Sequence, residues 1–432
     1  MSTLRRKEFY EPMSVLLGCI ADDFTGATDL PGTLVRERMR SVQMIGVPTG
    51  PAPDMDAVVV ALKSRTAPVE EAIPESLAAL AWLREAGCRQ FFFKYCSTFD
   101  STAEGNIGPV AEALLEALGS DFTIACPAFP MNQRTVCKGY LFVGDVLLNE
   151  CGMQDHPLTP MTDANLVRVL DAQSQGDVGL VDYATVHRCA AAVKEAFGQC
   201  QASGTRFAIV DALNDPDLMT IGEACADMPL TTGGSGVTIG LPANFRKAGL
   251  LDNPEAADKL PDIAGHAAVL AGSCSLATRQ QIEIMSAKHP SLKIDPMALA
   301  ESPQSIADAL EWATPRLADG PVLIYASAGP EEVQAAQDAL GVQRAGALVE
   351  DAMADIACGL VAAGVRRLVV AGGETSGAVV GGLNVAGLRI GPEIDPGVPW
   401  TASLSETPLL LALKSGNFGA PDFFTKAFEQ LP

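Results

Sequence analysis

The sequence predicts an α/β protein of two domains, each built on a mainly parallel sheet covered by helices. The chain has 432 residues, too many for one typical core. Short apolar runs alternate with helical patterns through most of the chain. The alternation stops at residues 249–265, a charged, proline-containing stretch, and then restarts. We therefore predict an N-terminal domain at 1–248, a linker at 249–265 and a C-terminal domain at 266–432, with the active site in the cleft between the domains.

Strands and helices are predicted in alternation in both halves of the chain. The helices between the strands include Glu70–Ala86, Val110–Leu118, Leu276–Lys288 and Val349–Ala363. The strands of the first half are Val15–Ile20, Val42–Val47, Ala57–Leu62, Gln90–Tyr95, Phe122–Cys126, Val178–Val181 and Phe207–Asp211. Those of the second half are Ala267–Ala271, Leu292–Ile294, Val322–Ala326, Leu368–Ala371, Leu388–Ile390 and Leu409–Ala412.

The composition is that of a compact globular enzyme and argues against a nucleic-acid partner. Hydrophobic residues make up 48% of the chain and charged residues 19%, unlike the composition of a disordered protein. The net charge of −22 disfavours the basic face that nucleic-acid binding needs. An anionic substrate would also be repelled at long range, so local lysine and arginine side chains must reverse the sign of the potential at its site.

Cysteine and histidine usage predicts a reduced, cytoplasmic protein without a zinc site or a histidine-based triad. The 11 cysteines are scattered and form no C-x-x-C pair, and the four histidines lie far apart. Residues Met1–Glu11 have no signal-peptide core. The longest apolar run, Ile356–Val365, is too short to span a bilayer, so we expect no membrane partner. Whether the protein forms a homo-oligomer is left open.

Two adjacent acids, Asp22 and Asp23, follow the first predicted strand, and Thr25 and Gly26 then open a predicted helix. In an open α/β sheet, ligands bind outside the carboxyl ends of the strands. One acid there is explained by capping the next helix, which is a common role of Asp. The second acid is not needed for a cap, so the pair favours a metal contact or a proton transfer.

Cationic and hydroxyl side chains gather at the ends of the next predicted strands of the N-terminal domain. Arg65 could pair with a carboxylate through two hydrogen bonds, and Lys94 could supply a point charge. Each cation alone could equally be a solvated loop residue, but the whole set favours a polyhydroxylated anion. The predicted substrate-binding residues are Arg65, Lys94, Ser97, Thr98, Asp100 and Asn106.

Three glycine- and serine-rich turns follow predicted strands of the C-terminal domain. They are Gly272–Ser275 (GSCS), Gly372–Gly377 (GGETSG) and Ser415–Gly419 (SGNFG). Small residues let backbone N–H groups approach an anion, and a helix N-terminus favours its charge. The chain has neither G-x-x-x-x-G-K-[ST] nor G-x-G-x-x-G. Three ordinary tight turns would also explain the pattern, but their convergence at one sheet edge would favour a nucleotide site.

An acid-sugar site in one domain and a phosphate-binding site in the other suggest phosphoryl transfer. This reaction needs positioning, charge neutralisation, usually Mg²⁺, and a base near the attacking hydroxyl. Asp22 and Asp23 are the candidates for the base and a metal contact, and Asp100 is a rival.

Several motifs resemble those of the four-carbon acid sugar kinases. They occur in order along nearly the whole chain: Ala21–Leu30 (ADDFTGATDL), Lys94–Thr102 (KYCSTFDST), Gly105–Pro109 (GNIGP), Cys126–Pro130 (CPAFP), GGETSG and SGNFG. The resemblance implies that the N-terminal domain binds the acid sugar and the C-terminal domain binds ATP. It implies ATP-dependent phosphorylation of the 4-hydroxyl of 3-oxo-tetronate. It places the ATP contacts on Ser273, Ser275, Gly373, Glu374, Thr375, Ser376 and Gly416, and sugar contacts on Asp22, Asp23, Arg65, Lys94 and their neighbours.

Other functions stay open beside this one. A kinase acting on threonate or erythronate is the nearest alternative. A dehydrogenase is disfavoured by the missing G-x-G-x-x-G, and a non-catalytic binding protein by the phosphate-binding turns. The chain departs from the family pattern at Pro31-Gly32 and at Met131 and Gln133, where we expect helix formers, an acid and a glycine respectively.

Overall fold

The structure, a computed structural model, describes residues 15–24, 28–156, 158–252, 257–302 and 304–431. The helix start predicted at Thr25 and Gly26 and the N-terminal segment Met1–Glu11 lie outside the described residues. The chain divides into two compact units. Unit 1 contains residues 15–22 and 46–252, and unit 2 contains residues 23–45 and 257–431.

The division differs from the predicted domains in the segment 23–45, which belongs to unit 2 and not to the N-terminal unit. The segment ends in the strand Ser41–Ile45, which pairs antiparallel with the strand Gly387–Asp395. Phe24 and Ile45 pack against the apolar core of unit 2. Sequence alternation did not reveal this exchange, because a strand in the first half looks the same whichever sheet it joins. The second boundary falls within residues 249–265.

The strands follow one another along the described chain, mostly as short apolar runs. They are β1 (Leu17–Ala21), β2 (Ser41–Ile45), β3 (Ala57–Ala61), β4 (Gln90–Lys94), β5 (Thr123–Cys126), β6 (Arg134–Cys137), β7 (Tyr140–Val143), β8 (Val146–Leu147), β9 (Val178–Val181), β10 (Phe207–Val210), β11 (Leu230–Gly233), β12 (His266–Ala271), β13 (Ser291–Lys293), β14 (Val322–Tyr325), β15 (Val365–Ala371), β16 (Gly387–Asp395), β17 (Val398–Ser403) and β18 (Leu410–Lys414).

The α-helices lie mainly between these strands. They are α1 (Asp29–Arg36), α2 (Val69–Glu85), α3 (Ile107–Leu118), α4 (Leu166–Asp171), α5 (Tyr183–Val186), α6 (Ala190–Ala202), α7 (Asp215–Ala224), α8 (Leu241–Lys247), α9 (Leu276–Ser286), α10 (Pro296–Glu301), α11 (Gln304–Ala313), α12 (Pro330–Leu340), α13 (Val342–Ala362), α14 (Gly373–Gly382) and α15 (Phe423–Glu429). Among the described residues, none of these helices combines the length and apolar character needed to cross a membrane.

The sheet of unit 1 has the order β3-β1-β4-β11-β5-β10-β9, and all its neighbouring strands are parallel. Strands β1 and β3 are fully buried and apolar along their whole length, which is typical of a parallel sheet covered on both faces. The loops after β3, β1 and β4 therefore leave the same edge of the sheet side by side. A small antiparallel sheet, β6-β7-β8, follows β5 in the chain.

The sheet of unit 2 is mixed. Strands β13-β14-β12-β15-β18 are parallel, and β17, β16 and β2 continue from β18 in antiparallel pairs. Two apolar clusters, one including Met353 and Leu360 and the other Trp400 and Phe423, form its core. The predicted α/β class with mainly parallel sheets is confirmed.

Three parts of the sheets were not predicted. Strand β11 reads Leu-Thr-Thr-Gly and is too short and too polar to stand out as an apolar run, yet it lies buried between β4 and β5. Strand β17 carries a proline, and β6 to β8 are runs of two to four residues separated by the turns Lys138-Gly139 and Gly144-Asp145. Pro31 is tolerated because it lies in the first turn of α1, where backbone N–H groups have no partner within the helix.

Candidate functional site

The candidate site of unit 1 is centred on an ion pair at the end of β1. Asp22 is 5% exposed, and its two carboxylate oxygens accept hydrogen bonds from Nε and Nη2 of Arg65, both at 2.9 Å. The backbone carbonyl of Asp22 accepts hydrogen bonds from the N–H groups of Ser64 and Arg65. Both the main chain and the side chain of Asp22 therefore bind the loop that carries Arg65. Arg65 Nη1 also lies 3.5 Å from Oδ2 of Asp100. Asp22 and Asp100 thus share one guanidinium.

The loop after β4 has an unusual backbone at this point. Phe99 and Asp100 both have positive φ, at 66° and 43°, which costs free energy for residues other than glycine. Two contacts maintain the conformation. The Phe99 ring is buried edge-to-face against Tyr95 at 5.4 Å, and Thr98 Oγ1 donates a 2.7 Å hydrogen bond to Asp100 Oδ1. Strain of this kind is found at functional sites, where it fixes the direction of a side chain.

The side chain of Asn106 stabilises the loop that carries Arg65. Its amide nitrogen donates to the carbonyl oxygens of Ser64, Arg65 and Ala67, at 2.7, 3.3 and 2.8 Å. It precedes α3 but makes no side-chain capping bond there. The amide group is therefore occupied in shaping the loop that carries Arg65.

Lys94 is a buried cation at the end of β4. It is 3% exposed, and within the part of the chain described here its ammonium forms no hydrogen bond or ion pair. An unpaired buried charge is costly unless a ligand of opposite charge arrives. Ser97 and Thr98 follow it in the same loop, half-buried and buried respectively. Burial raises the pKa of the neighbouring Cys96 thiol to about 11, so that group is neutral at physiological pH.

Asp22 and Asp23 are adjacent in sequence but belong to different units. Asp22 ends the part of unit 1 that contains β1, whereas Asp23 belongs to unit 2. Asp22 is engaged by Arg65, and Asp23 also has an interaction partner. The two carboxylates therefore do not form one isolated pair.

The candidate site of unit 2 is formed by the three predicted turns, called the phosphate loops below: Gly272–Ser275, Gly372–Gly377 and Ser415–Gly419. The first two meet at Thr375. A Cβ atom on Gly272 would lie 2.3 Å from Thr375 Oγ1, and one on Gly372 would lie 2.7 Å from the same atom. Gly372 also has φ of 131°, which a residue with a side chain rarely adopts. Glycine is required at both positions by this close approach.

The first and third phosphate loops meet at the carbonyl oxygen of Gly416. It accepts hydrogen bonds from Ser275 Oγ at 2.6 Å, Thr278 Oγ1 at 2.8 Å and Lys414 Nζ at 3.0 Å. A Cβ atom on Gly416 would lie 2.2 Å from Ser273 Oγ. Ser275 additionally caps α9 by accepting from Thr278 N–H. The three turns therefore converge, as the sequence predicted.

Helix α14 begins inside the second phosphate loop. Its N-cap is Gly372, which has no side chain to satisfy the first N–H groups of the helix. Glu374 is exposed in the first turn, whereas Ser376 is 2% exposed and its buried hydroxyl has no hydrogen-bond partner among the described residues. An uncapped helix N-terminus with donor groups beside it is suited to bind a phosphate.

A cavity of about 950 Å³ opens beside the phosphate loops of unit 2. Both Gly272–Cys274 and Gly372–Thr375 line it. Much of its remaining wall consists of small apolar residues from the paired helices α12 and α13, among them Ala335, Ala336, Ala339 and Ala345. Its size lies at the upper end of the range for sites that enclose a small ligand.

Sequence reasoning missed this cavity and two residues of the loops, Thr278 and Lys414. The sequence analysis did not single out the alanines of α12 and α13, whose repeated small side chains line the cavity. Lys414 ends the apolar run Leu409–Leu413 directly before SGNFG. A lysine at the end of a buried strand, before a glycine turn, was a signal that could have identified it.

Comparison with known proteins agrees with this two-part organisation. The family described as "Sugar-binding N-terminal domain" matches residues 17–241, and "Nucleotide-binding C-terminal domain" matches residues 268–424. A Burkholderia multivorans protein named 3-oxo-tetronate kinase is 61% identical over 417 residues, covering 96% of this chain and 97% of its own.

Two solved structures share the fold over nearly the full chain. One, from Haemophilus influenzae, has 46% identity and a TM-score of 0.86 and covers 96% of this chain and 100% of its own. The other, from Salmonella typhimurium, has 44% identity and a TM-score of 0.90 and covers 97% of this chain and 100% of its own. The chain belongs to the family of proteins that combine a sugar-binding N-terminal domain with a nucleotide-binding C-terminal domain.

Proposed function

We propose that the protein is a kinase that transfers the γ-phosphoryl group of ATP to the 4-hydroxyl of 3-oxo-tetronate, in the catabolism of four-carbon acid sugars. The products are ADP and 3-oxo-tetronate 4-phosphate. The bond from the γ-phosphorus to the β,γ-bridging oxygen breaks, a bond to the C4 oxygen forms, and the hydroxyl proton passes to a base. The observation that carries the proposal is the 61% identity, over 96% of the chain, to a relative named 3-oxo-tetronate kinase.

The phosphate loops and the large cavity of unit 2 support ATP as the donor. We assign the phosphate contacts to Ser273, Ser275 and Gly416, together with the first turn of α14, which contains Gly373, Glu374, Thr375 and Ser376. Backbone N–H groups and hydroxyls at a helix N-terminus stabilise the charge of a triphosphate. The apolar wall formed by α12 and α13 suits the purine base.

The acid sugar is assigned to unit 1. Lys94 is the buried charge available to its carboxylate, and Ser97 supplies a hydroxyl group for its polar oxygens. The Thr98 hydroxyl donates to Asp100 and therefore contributes as an acceptor for a hydroxyl of the acid sugar. Arg65, held between Asp22 and Asp100, orients these acids. Asp22 and Asp23 are the proposed base and metal contact, with Asp100 as the alternative base. Asn106 contributes by positioning the Arg65 loop.

Mg²⁺ is proposed to arrive with ATP. In the described residues no three His, Cys, Asp or Glu side chains are grouped as a metal cluster. Mg²⁺ in kinases retains waters and is held by one or two carboxylates together with the phosphates of the substrate, so a dedicated cluster is not needed. Glu374, which lines the large cavity of unit 2, and Asp29, which lines a small one, are carboxylates suited to this task. When bound, Mg²⁺ neutralises charge on the transferred phosphoryl group.

A coupled assay of ADP release tests the proposal across 3-oxo-tetronate, threonate and erythronate, each with and without Mg²⁺. We expect the highest kcat/KM with 3-oxo-tetronate. A higher kcat/KM with threonate or erythronate would change the proposed substrate but would leave the proposed phosphoryl transfer unchanged. This comparison is needed because Met131, 51% exposed, and Gln133, at φ of 60°, depart from the family pattern in one turn. No ADP release with any four-carbon acid would refute the kinase proposal.

A further inference from the structure

The side chain of Lys414 is almost completely enclosed beneath the phosphate loops of unit 2. It is 1% exposed and ends β18 directly before the third phosphate loop. Its Nζ donates to Thr278 Oγ1 at 2.9 Å and to the Gly416 carbonyl oxygen at 3.0 Å. The Phe424 ring lies 6.0 Å away on another side. The two acceptors are neutral oxygens.

Lys414 has no carboxylate partner among the described residues. The charged side chains on the elements around it are Asp29 and Arg36 on α1, Arg279 and Glu283 on α9, Arg366 and Arg367 on β15, Glu374 on α14, Arg389, Glu393 and Asp395 on β16, and Lys426 and Glu429 on α15. Asp395 is paired with Lys426, and none of the described acids forms an ion pair with Lys414. Burial without a counter-charge lowers the pKa of Lys414 to about 8, so the ammonium is mostly protonated at neutral pH.

A second observation indicates that an anion belongs beside this lysine. A small cavity of about 30 Å³ is lined by Lys414 and Ser415, by Gly373 and Ser376 from the first turn of α14, and by Asp29, a carboxylate that has an interaction of its own but forms no ion pair with Lys414. The Ser376 hydroxyl is buried there, and no described residue offers it a hydrogen-bond partner. An unused hydroxyl donor, an uncapped helix N-terminus and an uncompensated ammonium all favour a negatively charged ligand.

We propose that Lys414 is the buried positive charge of the nucleotide-phosphate site: its ammonium fixes the Gly416 turn against Ser275 and Thr278 and is compensated electrostatically by the bound polyphosphate. The inference rests on the proposed function, because it assumes that unit 2 binds ATP. Lys414 is a positioning residue that acts through the Gly416 carbonyl and through its field. The charge becomes less costly when the phosphates are bound, so binding and protonation of Lys414 are coupled.

Isothermal titration calorimetry with ATP, ADP, AMP and adenosine tests this role in three proteins. These are the wild type, Lys414→Met, and the control Lys288→Met, which removes an exposed lysine from the turn that follows α9 in the same unit. We expect Lys414→Met to weaken the binding of ATP and of ADP roughly 10- to 100-fold, the range for loss of a hydrogen-bonded charge. The affinity for adenosine should change less than about 3-fold, because adenosine has no phosphate charge to compensate Lys414. Lys288→Met should bind all four ligands as the wild type does.

A second measurement needs no variant. Titrations of the wild type with ATP at pH 8.5, in buffers of different ionisation enthalpy, report the protons taken up on binding. We expect uptake of roughly half a proton with ATP and none with adenosine, since Lys414 is partly neutral before binding and protonated after it. ATP binding without this uptake would overturn the inference even if Lys414→Met did not fold.

The outcomes separate the inference from the proposal on which it rests. An equal loss of affinity for all four ligands in Lys414→Met would assign the lysine a purely structural role. That result would contradict the inference but not the proposed function. Absence of ATP binding by the wild type would contradict the proposed function, and the inference with it.

Discussion

The two candidate sites differ in the groups that are available to stabilise an anion, although both belong to a chain of net charge −22. The site of unit 1 uses side-chain charges: Asp22 and Asp100 share Arg65, and Lys94 is unpaired within the described residues. The site of unit 2 uses backbone groups and hydroxyls of the phosphate loops, with Lys414 as a single enclosed cation. Charged groups discriminate one small acid from another, whereas loops of glycine and serine follow the outline of a polyphosphate. We therefore expect substitutions that remove a charge to have the larger effects in unit 1, and substitutions that change the shape of the loops to have the larger effects in unit 2.

The largest effect is expected from Asp22→Asn in unit 1. The variant removes the charge that holds Arg65 and the proposed base, so kcat should fall by ~10²–10⁴ while ATP affinity stays near that of the wild type. Steady-state kinetics and calorimetry measure the two quantities. The matched control is Asp163→Asn, which breaks a similar two-bond pair with Arg168 in a more exposed position of the same unit. A wild-type kcat in Asp22→Asn would remove this acid from the mechanism.

A shape change is the corresponding test in unit 2. Gly372→Ala places a methyl group 2.7 Å from Thr375 Oγ1 and 3.2 Å from the Ser273 nitrogen, at a φ that alanine rarely adopts. Strain of ~1–3 kcal/mol should weaken ATP binding about 10- to 100-fold. Gly381→Ala is the control, because a Cβ there meets nothing within 4 Å and the residue lies in the same helix but outside the phosphate loop. Equal ATP affinities in the two variants, measured by calorimetry, would show that the close approach of the loops is not needed for binding.

The pH dependence of stability tests the buried cation. The pKa of Lys414 is lowered to about 8 in the folded protein, from 10.5 for an ordinary lysine. The unfolded chain therefore binds more protons between these values, and this residue's contribution to the free energy of unfolding rises with pH across that window. The full rise is on the order of 3 kcal/mol.

Urea unfolding between pH 8 and 10 measures this contribution as the difference between wild type and Lys414→Met. Wild-type stability should rise relative to that of the variant as the pH increases. Parallel stability curves for the two proteins would mean that Lys414 titrates normally in the folded state.

The smallest effect is expected from Asn106→Ala. Loss of the amide leaves the carbonyls of Ser64 and Ala67 without this donor, at a cost of ~1–3 kcal/mol. The KM for the acid sugar should rise more than the KM for ATP, because the Arg65 loop belongs to unit 1. Asn244→Ala is the control: its amide donates to the Gly222 carbonyl on other helices of unit 1. A rise of both KM values to the same extent would contradict a local role in sugar binding.

The parts of the fold that follow local patterns could be predicted from the sequence. Apolar runs gave strands such as β3 and β12 to within a residue, since a buried parallel strand needs no polar face. The three phosphate loops could be located because glycine is needed where Gly272 and Gly372 approach Thr375. What escaped prediction depends on partners distant in sequence. Asp22 was predicted as a base or metal contact from its place after β1, and its pairing with Arg65, 43 residues away, was not foreseen.

The same limit explains the remaining differences. Strand β2 looks like its neighbours in sequence, and only its pairing with β16 assigns segment 23–45 to unit 2. Lys414 looks like an ordinary end of a strand until Thr278, 136 residues earlier, supplies its hydrogen-bond acceptor. Asn106 was predicted as a sugar contact because of its residue type, whereas its amide is occupied by three carbonyls of the preceding loop.

Hydrogen–deuterium exchange with each ligand separately tests the central claim, that unit 2 binds the nucleotide and unit 1 the acid sugar. A non-hydrolysable ATP analogue should protect the phosphate loops of unit 2 and leave residues 63–66 and 94–102 of unit 1 unchanged. 3-Oxo-tetronate should protect 63–66 and 94–102 and leave the phosphate loops unchanged. Protection of the same unit by both compounds, or the reverse assignment, would contradict the account.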